Sequence, residues 1–168
     1  MEVKFRIIFL ICHPADKIAA MTKTPILHPQ LLQALARAGH SSKILIADGN
    51  YPFHTRRGPN AELVFLNFAP GQLTVPDVLV GIMKTVPLEL AQVMEPEQSG
   101  PHAMKNDPAI FGDFRNILKT QRPPLDLIKL ERFDFYDAAS SRDVALTIAT
   151  GEQRIYANIL LTIGVVRD

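Results

Sequence analysis

Two polar residues flank one short apolar segment, and both carry side chains that can accept or donate protons. His40 follows Gly39 immediately after a predicted helix, and Asp48 follows the segment Lys43–Ala47. An imidazole that titrates near neutral pH suits general acid–base catalysis, and ligand-binding groups collect at strand ends in α/β sheets. A structural interpretation also fits, because a histidine near a helix C-terminus favours the helix dipole and an aspartate before Gly-Asn is typical of a turn.

A second group of candidate residues lies nearer the C-terminus. Tyr156 and Asn158 are two positions apart, so they share one face if the chain is extended there. Arg132 precedes Phe133 and Phe135, where it could either touch a ligand or cap the nearby apolar segment. Together with the first two residues, these side chains permit a polar pocket that contains a titratable imidazole, a carboxylate and several hydrogen-bonding groups.

The familiar signatures of metal, nucleotide and hydrolase sites are absent from the sequence. The histidines include no pair four residues apart on a helix and have no cysteine companion; they are His13, His28, His40, His54 and His102. There is no P-loop, no G-x-G-x-x-G motif and no G-x-S-x-G motif. The histidine spacing does not favour a metal site, and one assembled by folding is the alternative. Cys12 is a poor candidate nucleophile, because it lies in an atypical N-terminal segment.

The composition is typical of a globular protein with one ordinary domain. The chain has 168 residues, of which 47% are hydrophobic and 21% charged. Its net charge of +1 lacks the excess of positive charge that non-specific binding to a nucleic acid partner needs. The single cysteine cannot form an intrachain disulfide, so a cytoplasmic location is the default prediction.

Residues 1–20 differ from the rest of the chain. Residues 3–12 are apolar, but the uninterrupted apolar run 7–12 is far shorter than the roughly 20 residues that a membrane-spanning helix needs. A signal peptide or an extra edge strand are alternatives. We expect instead an N-terminal extension, mis-started or disordered, because an ordinary polar N-terminus begins at Met21. Residues 21–168 are then predicted to form the functional domain, with no membrane partner.

Hydrophobic spacing predicts alternating helices and strands. Helices are expected at residues 29–38, at residues 76–84 and after Asp107, which would be an N-cap with Pro108 as the first helical residue. Strands are expected at residues 43–47, 62–66, 91–94, 127–130, 144–150 and 158–163. This alternation favours a single α/β domain that has a partly parallel or mixed β-sheet with helices on both faces.

Three blocks of the sequence resemble one family. Residues 38–52 (AGHSSKILIADGNYP) resemble the G-H-x5-[IL]-x-D-x3-P signature of the L-fucose mutarotase and D-ribose pyranase family. Residues 132–139 (RFDFYDAA) resemble the R-F-x-F-Y-x-x-A segment of its fucose branch, and residues 150–165 (TGEQRIYANILLTIGV) resemble its terminal T-G-E-x3-Y-x-N-I-x-L-x2-G-V pattern. Three blocks in the right order are more specific than any one alone.

The resemblance implies an isomerase that interconverts the α and β anomers of a free monosaccharide without a cofactor or metal. It also implies a ring-like homo-oligomer, expected to be a decamer. His40 would be the catalytic histidine, assisted by Tyr156, while Asp48, Arg132, Tyr156 and Asn158 would bind the sugar. Arg132 and the Tyr-x-Asn spacing favour L-fucose as the substrate, and a D-ribose pyranase is the alternative.

The separation of His40 from Asp48 bears on how such a site is assembled. If Lys43–Ala47 is extended at about 3.3 Å per residue, its ends lie roughly 13 Å apart. One small sugar could then reach both residues only through a sharp turn after His40 or through a neighbouring subunit, and we predict an intersubunit site. A non-catalytic sugar-binding or transport-accessory protein is an alternative from another functional class, and an isomerase of another hydroxyl-rich aldehyde is a third.

Overall fold

The computed structural model describes residues 23–100 and 103–166, and the predicted extension at residues 1–20 lies outside them. The described strands are β1 (Lys43–Ala47), β2 (Glu62–Phe65), β3 (Leu88–Met94), β4 (Leu127–Leu130), β5 (Val144–Ala149) and β6 (Ile159–Ile163). The described helices are α1 (Pro29–Arg37), α2 (Val75–Met83), α3 (Ala109–Leu118) and α4 (Arg132–Ala139). None of these helices is long and apolar enough to cross a membrane.

The strands form one mixed sheet in the order β2-β5-β1-β6-β3-β4. β1 and β2 both pair parallel with β5, and β3 pairs parallel with β4. β6 pairs antiparallel with both of its neighbours, β1 and β3. The amino end of β6 therefore lies at the same edge of the sheet as the carboxyl ends of β1 and β3. The predicted mixed sheet is confirmed.

The sheet is covered on both faces, as predicted. On one face, α1, α2 and α3 contribute residues such as Leu35, Leu79 and Phe111 to a core with Ile44 and Ile148 of the sheet. On the other face, α4 is the only one of the described helices that covers the sheet. Its buried residues, Phe135 and Ala139, pack with the sheet residues Leu45, Ala47 and Leu160. Burial on both faces explains why the central strands read as continuous apolar segments.

The start of α3 differs from the prediction. Asp107 does not cap the helix: Pro108 occupies the N-cap position and makes no side-chain cap hydrogen bond. The Asp107 carboxylate instead forms ion pairs with Lys129 at 2.7 Å and Arg115 at 2.5 Å. Hydrogen bonds from Lys129 and then Arg115 lower the pKa of Asp107. The carboxylate is therefore used to join α3 to β4 rather than to close the first turn of the helix.

α4 has no counterpart among the predicted helices. Only Phe135 and Ala139 of its eight residues are buried, and Phe133 is 68% exposed, so the helix shows no continuous apolar stripe. Its start is fixed by Glu131, whose side chain accepts a hydrogen bond from the backbone N–H of Phe133 at 2.7 Å. This helix places Arg132 at its first position, beside the carboxyl edge of the sheet.

Candidate active site

A cleft of about 520 Å³ lies at the edge of the sheet where β1 and β3 end and β6 begins. Among the residues that line it are Asp48, Arg132, Tyr156 and Asn158. They come from three separate parts of the chain: the end of β1, the start of α4 and the turn before β6. The structure thus brings together four of the five residues that the sequence analysis selects. The volume lies within the roughly 300–1,000 Å³ that is usual for small-molecule sites.

Asp48 is only 2% exposed and joins the end of β1 to the turn before β6. Its Oδ1 accepts a hydrogen bond from Asn50 N at 2.9 Å, and its Oδ2 accepts from Ala157 N and from Asn158 Nδ2, both at 3.1 Å. Burial raises the pKa of Asp48, the hydrogen bonds from Asn50 and Ala157 oppose that increase, and the negative charge of Glu152 adds to it. Asp48 therefore fixes the shape of the cleft as well as lining it.

Asn158 completes a reciprocal pair with Asp48. Its Oδ1 accepts a hydrogen bond from Asp48 N at 2.9 Å while its Nδ2 donates to the carboxylate. An amide nitrogen carries two N–H groups, and within the described part of the chain the second one has no acceptor. A ligand in the cleft can accept from it.

Tyr156 reaches the cleft from a turn rather than from an extended segment. It has a φ of 57°, and β6 begins only at Ile159. The extended chain under which Tyr156 and Asn158 would share one face is therefore absent at Tyr156, although both residues line the same cleft. The hydrogen bond from Ala157 N to Asp48 holds this turn in place. A left-handed residue other than glycine or asparagine is uncommon and is maintained only by such surrounding contacts.

Arg132 lies at the margin of the cleft in an ion pair that the sequence does not reveal. Its Nη1 donates to Oε1 of Glu97 at 2.6 Å, with both side chains partly exposed. The backbone N–H of Glu97 also donates to the hydroxyl of Tyr156 at 3.5 Å. Glu97 thus contacts two predicted sugar-binding residues and holds the guanidinium at the cleft.

Much of the other wall of the cleft lies outside the residues selected from the sequence. Met94 and Ile155 are apolar lining residues, and the rings of Tyr51 and Tyr136 lie 6.0 Å apart. Tyr136 is four positions after Arg132 on α4, a spacing that places two residues on one helix face. That signal was present in the segment RFDFY, but it has meaning only once the segment is known to be helical.

His40 lies at the opposite edge of the sheet from the cleft. It borders a second cavity of about 310 Å³ with Ser42, Asn60 and Arg142, beside the amino end of β1. A sharp turn does follow it, because Ser41 has a φ of 66°. The turn nevertheless leaves His40 beside the carboxyl end of β6, where Ser41 N donates to Ile163 O at 2.9 Å. Within one chain, His40 and the four cleft residues therefore lie at opposite edges of the sheet.

The described residues contain no group of three or more His, Cys, Asp and Glu side chains that could hold a metal ion.

Comparisons with known proteins agree with the fold and with the family resemblance. The RbsD / FucU transport protein family matches residues 21–166. A human protein named fucose mutarotase is 33% identical over 147 residues, which cover 83% of this chain and 90% of the human one. The crystal structure of FucU from Bifidobacterium longum is 31% identical, with a TM-score of 0.69, and the match covers 83% of this chain and 95% of that one. The fucose mutarotase of Streptococcus pneumoniae, solved in complex with L-fucose, is 28% identical with a TM-score of 0.70, covering 88% of this chain and all of that one. This chain belongs to the RbsD / FucU family.

Proposed function

We propose that this protein is a monosaccharide mutarotase that interconverts the α and β anomers of free L-fucose. The observation that carries the proposal is the meeting of Asp48, Arg132, Tyr156 and Asn158 in one cleft. The human relative named fucose mutarotase and the Streptococcus pneumoniae structure with L-fucose support the choice of reaction and of sugar.

The cleft residues suit a neutral, hydroxyl-rich ligand. A carboxylate offers about four acceptor positions, and hydrogen bonds within the described residues occupy three of those on Asp48. The remaining position accepts from a sugar hydroxyl, while Asn158 and Arg132 donate to others. Met94 and Ile155 supply an apolar surface, which suits the methyl group of a 6-deoxy sugar. Several directional hydrogen bonds of this kind fix the orientation of the ring.

The reaction requires only the movement of protons. The anomeric hydroxyl loses a proton, the ring oxygen gains one, and the open-chain aldehyde recloses on its other face. His40 transfers the proton and the hydroxyl of Tyr156 assists at the second oxygen. A positioned acid–base group contributes typically ~10²–10⁴-fold, roughly 3–5 kcal/mol of the barrier. That is sufficient for a reaction that already proceeds in water without a catalyst.

The catalytic histidine comes from a neighbouring copy of the chain. Within one chain His40 and the cleft border different cavities at opposite edges of the sheet, so a sugar bound in the cleft needs the His40 of another subunit. A closed homo-oligomer, with a decamer as the expected form, provides that arrangement. The cytoplasmic location suggested by the single cysteine stays a prediction.

The test is the substitution His40→Gln, with the exchange between L-fucose anomers followed by saturation-transfer NMR. We expect the rate to fall to the uncatalysed background while the protein remains folded by circular dichroism. His54→Gln is the matched control, because His54 is an exposed histidine outside both cavities, and its exchange rate should equal that of the unaltered protein. Full activity in His40→Gln contradicts the proposal.

A panel of free aldoses in the same assay separates the alternatives. A D-ribose pyranase accelerates exchange of ribose more than that of fucose. A sugar-binding transport-accessory protein, a role in keeping with the description of the family, leaves every exchange rate at background. An isomerase of another aldehyde yields a new compound rather than a new ratio of anomers.

A further inference from the structure

His40 is in contact with an acidic residue that the sequence analysis does not select. Its Nε2 lies 3.1 Å from Oε2 of Glu89, a residue 49 positions away in the sequence. The contact lies at the edge of the sheet opposite the cleft, where β3 begins and β6 ends. Polar contacts between exposed side chains contribute little to stability, which favours a role for this carboxylate in orienting the imidazole.

The backbone places Glu89 at this position by an irregularity in β3. Leu88 pairs with Ile163 of β6 and Leu90 pairs with the next residue, Thr162, so Glu89 is an extra residue without a partner in the ladder. This is the arrangement of a β-bulge, a feature that redirects a side chain and is frequent beside active sites. The bulge turns Glu89 out of the regular alternation of the strand.

Gly164 provides the space that the Glu89 side chain occupies. A Cβ atom added to Gly164 would lie 3.2 Å from Cβ of Glu89 and 3.5 Å from its Oε2. A residue with a Cβ atom at position 164 would therefore crowd Cβ of Glu89 and lie in van der Waals contact with its carboxylate. The glycine after β6 and the bulge in β3 together hold Glu89 in its contact with His40.

The segment that carries His40 is attached to the same end of β6. Ser41 N donates to Ile163 O, and Ile163 N donates to Ser42 O, both at 2.9 Å. The ring and the carboxylate are thus anchored to one strand end through different backbone contacts. Two side chains that are fixed independently to the same strand end keep their relative geometry when a ligand binds.

We propose that Glu89 is a positioning residue that accepts a hydrogen bond from Nε2–H of His40 and so leaves Nδ1 as the basic nitrogen of the ring. The inference rests on the proposed function of His40. Nδ1 takes the proton of the anomeric hydroxyl, the ring becomes an imidazolium, and the proton is returned to the sugar in the next step. The carboxylate at Nε2 keeps the ring in one tautomer and stabilises the imidazolium while it exists. The hydroxyl of Ser41 lies 3.5 Å from Nδ1, the outer limit of a hydrogen bond, so this nitrogen is available to the substrate.

The ring tautomer can be measured without reference to activity. Protein labelled with ¹⁵N-histidine is examined by solid-state NMR at an alkaline pH where histidine rings are neutral, and the His40 signals are those missing from His40→Gln. We expect the unaltered protein to show Nε2 protonated and Nδ1 unprotonated. In Glu89→Ala the two tautomers should become mixed.

Asp143→Asn is the matched control for the tautomer measurement. Asp143 borders the same cavity as His40, but its carboxylate lies beside Lys43 at 3.9 Å. Loss of this neighbouring charge should leave the His40 signals unchanged. A tautomer that is the same in Glu89→Ala as in the unaltered protein contradicts the positioning role.

The kinetic result separates this inference from the proposed function. Loss of the orienting carboxylate from a buried catalytic triad lowers kcat by about 10⁴-fold; here the pair is half exposed, so we expect Glu89→Ala to lower kcat about tenfold with little change in KM. If Glu89→Ala does not fold, Glu89→Leu keeps a side chain of similar size without an acceptor for Nε2–H, and the same fall in kcat is expected. Full activity of His40→Gln refutes the proposed function and this inference with it. An inactive His40→Gln together with an unimpaired Glu89 variant refutes the role of Glu89 alone.

Discussion

Complementation between two inactive variants provides the strongest test of an intersubunit site. One variant is His40→Gln, which keeps the cleft intact. The other combines Arg132→Ala with Tyr156→Phe, which damages the cleft and keeps His40. Each is expected to be inactive alone. When the two are unfolded together in equal amounts and refolded, activity should return, because an intact cleft of one chain can meet an intact His40 of the other.

The expected recovery of activity follows from the distance between His40 and the cleft within one chain. β1 spans roughly 13 Å between its ends at about 3.3 Å per residue, and His40 and Asp48 lie beyond those ends. In a random mixture within a closed oligomer, half of the clefts are intact and half of these meet an intact His40, so about one quarter of the activity of the unaltered protein should return. If the His40 and the cleft of the same chain formed the active site, every site in the mixture would lack one of its parts and no activity would return.

A second mixture controls for incomplete refolding in the first experiment. Unaltered protein is refolded with an equal amount of a variant that carries all three changes, and light scattering confirms that both form the same oligomer. A site shared between chains retains about one quarter of the activity, whereas a site within one chain retains about half. Half-retention here, absence of recovery in the first mixture, or a fully active monomer refutes the intersubunit arrangement.

Three further predictions concern the residues that shape the cleft and the core. Asp48→Asn should lower the free energy of unfolding in urea by about 2–4 kcal/mol, because an amide has only one acceptor oxygen and its NH2 group must face either the N–H of Asn50 or the N–H groups of Ala157 and Asn158; an unchanged midpoint contradicts this expectation. The raised pKa of Asp48 means that the folded state binds its proton more tightly than the unfolded state, so its stabilising contribution is present below pH 3.8 and is lost as pH rises through the raised value. Across that range the stability of the unaltered protein should therefore decline relative to that of Asp48→Asn, and parallel pH profiles of the two contradict it. Phe135→Ala should cost about 3–5 kcal/mol in thermal or urea unfolding because Phe135 is fully buried, whereas Phe133→Ala on the same helix should cost under ~1 kcal/mol; equal losses would show that α4 does not cover the sheet as described.

Most of the sheet could be predicted from the sequence because its strands are buried on both faces. A segment such as Lys43–Ala47 is short, apolar after its first residue and contains two β-branched isoleucines, a combination that favours a buried strand. α4 could not be found in the same way. Only two of its eight residues are fully buried, and a helix whose remaining positions serve a cleft and the solvent carries little hydrophobic periodicity.

The candidate site was predictable only where its residues carry a recognisable motif. Asp48, Arg132, Tyr156 and Asn158 lie within the three blocks that resemble the family, and the structure gathers them in one cleft. The two glutamates that contact site residues lie outside those blocks. Glu97 meets Arg132 across 35 positions and Glu89 meets His40 across 49, and both contacts exist only because strands distant in sequence become neighbours. No local pattern encodes such a contact.

The reversed direction of β6 has a consequence for how copies of this chain could associate. One end of this strand leads into the turn that carries Tyr156 and Asn158, and its other end anchors His40 and Glu89. Each protomer then carries the cleft at one edge of its sheet and the His40 surface at the opposite edge. If the cleft of one protomer contacts the His40 surface of the next, the interface is heterologous. An open oligomer leaves one cleft and one His40 surface without a partner, and only a closed ring uses all of them. A five-residue strand would in that case set both the spacing of the reacting groups and the geometry of the assembly.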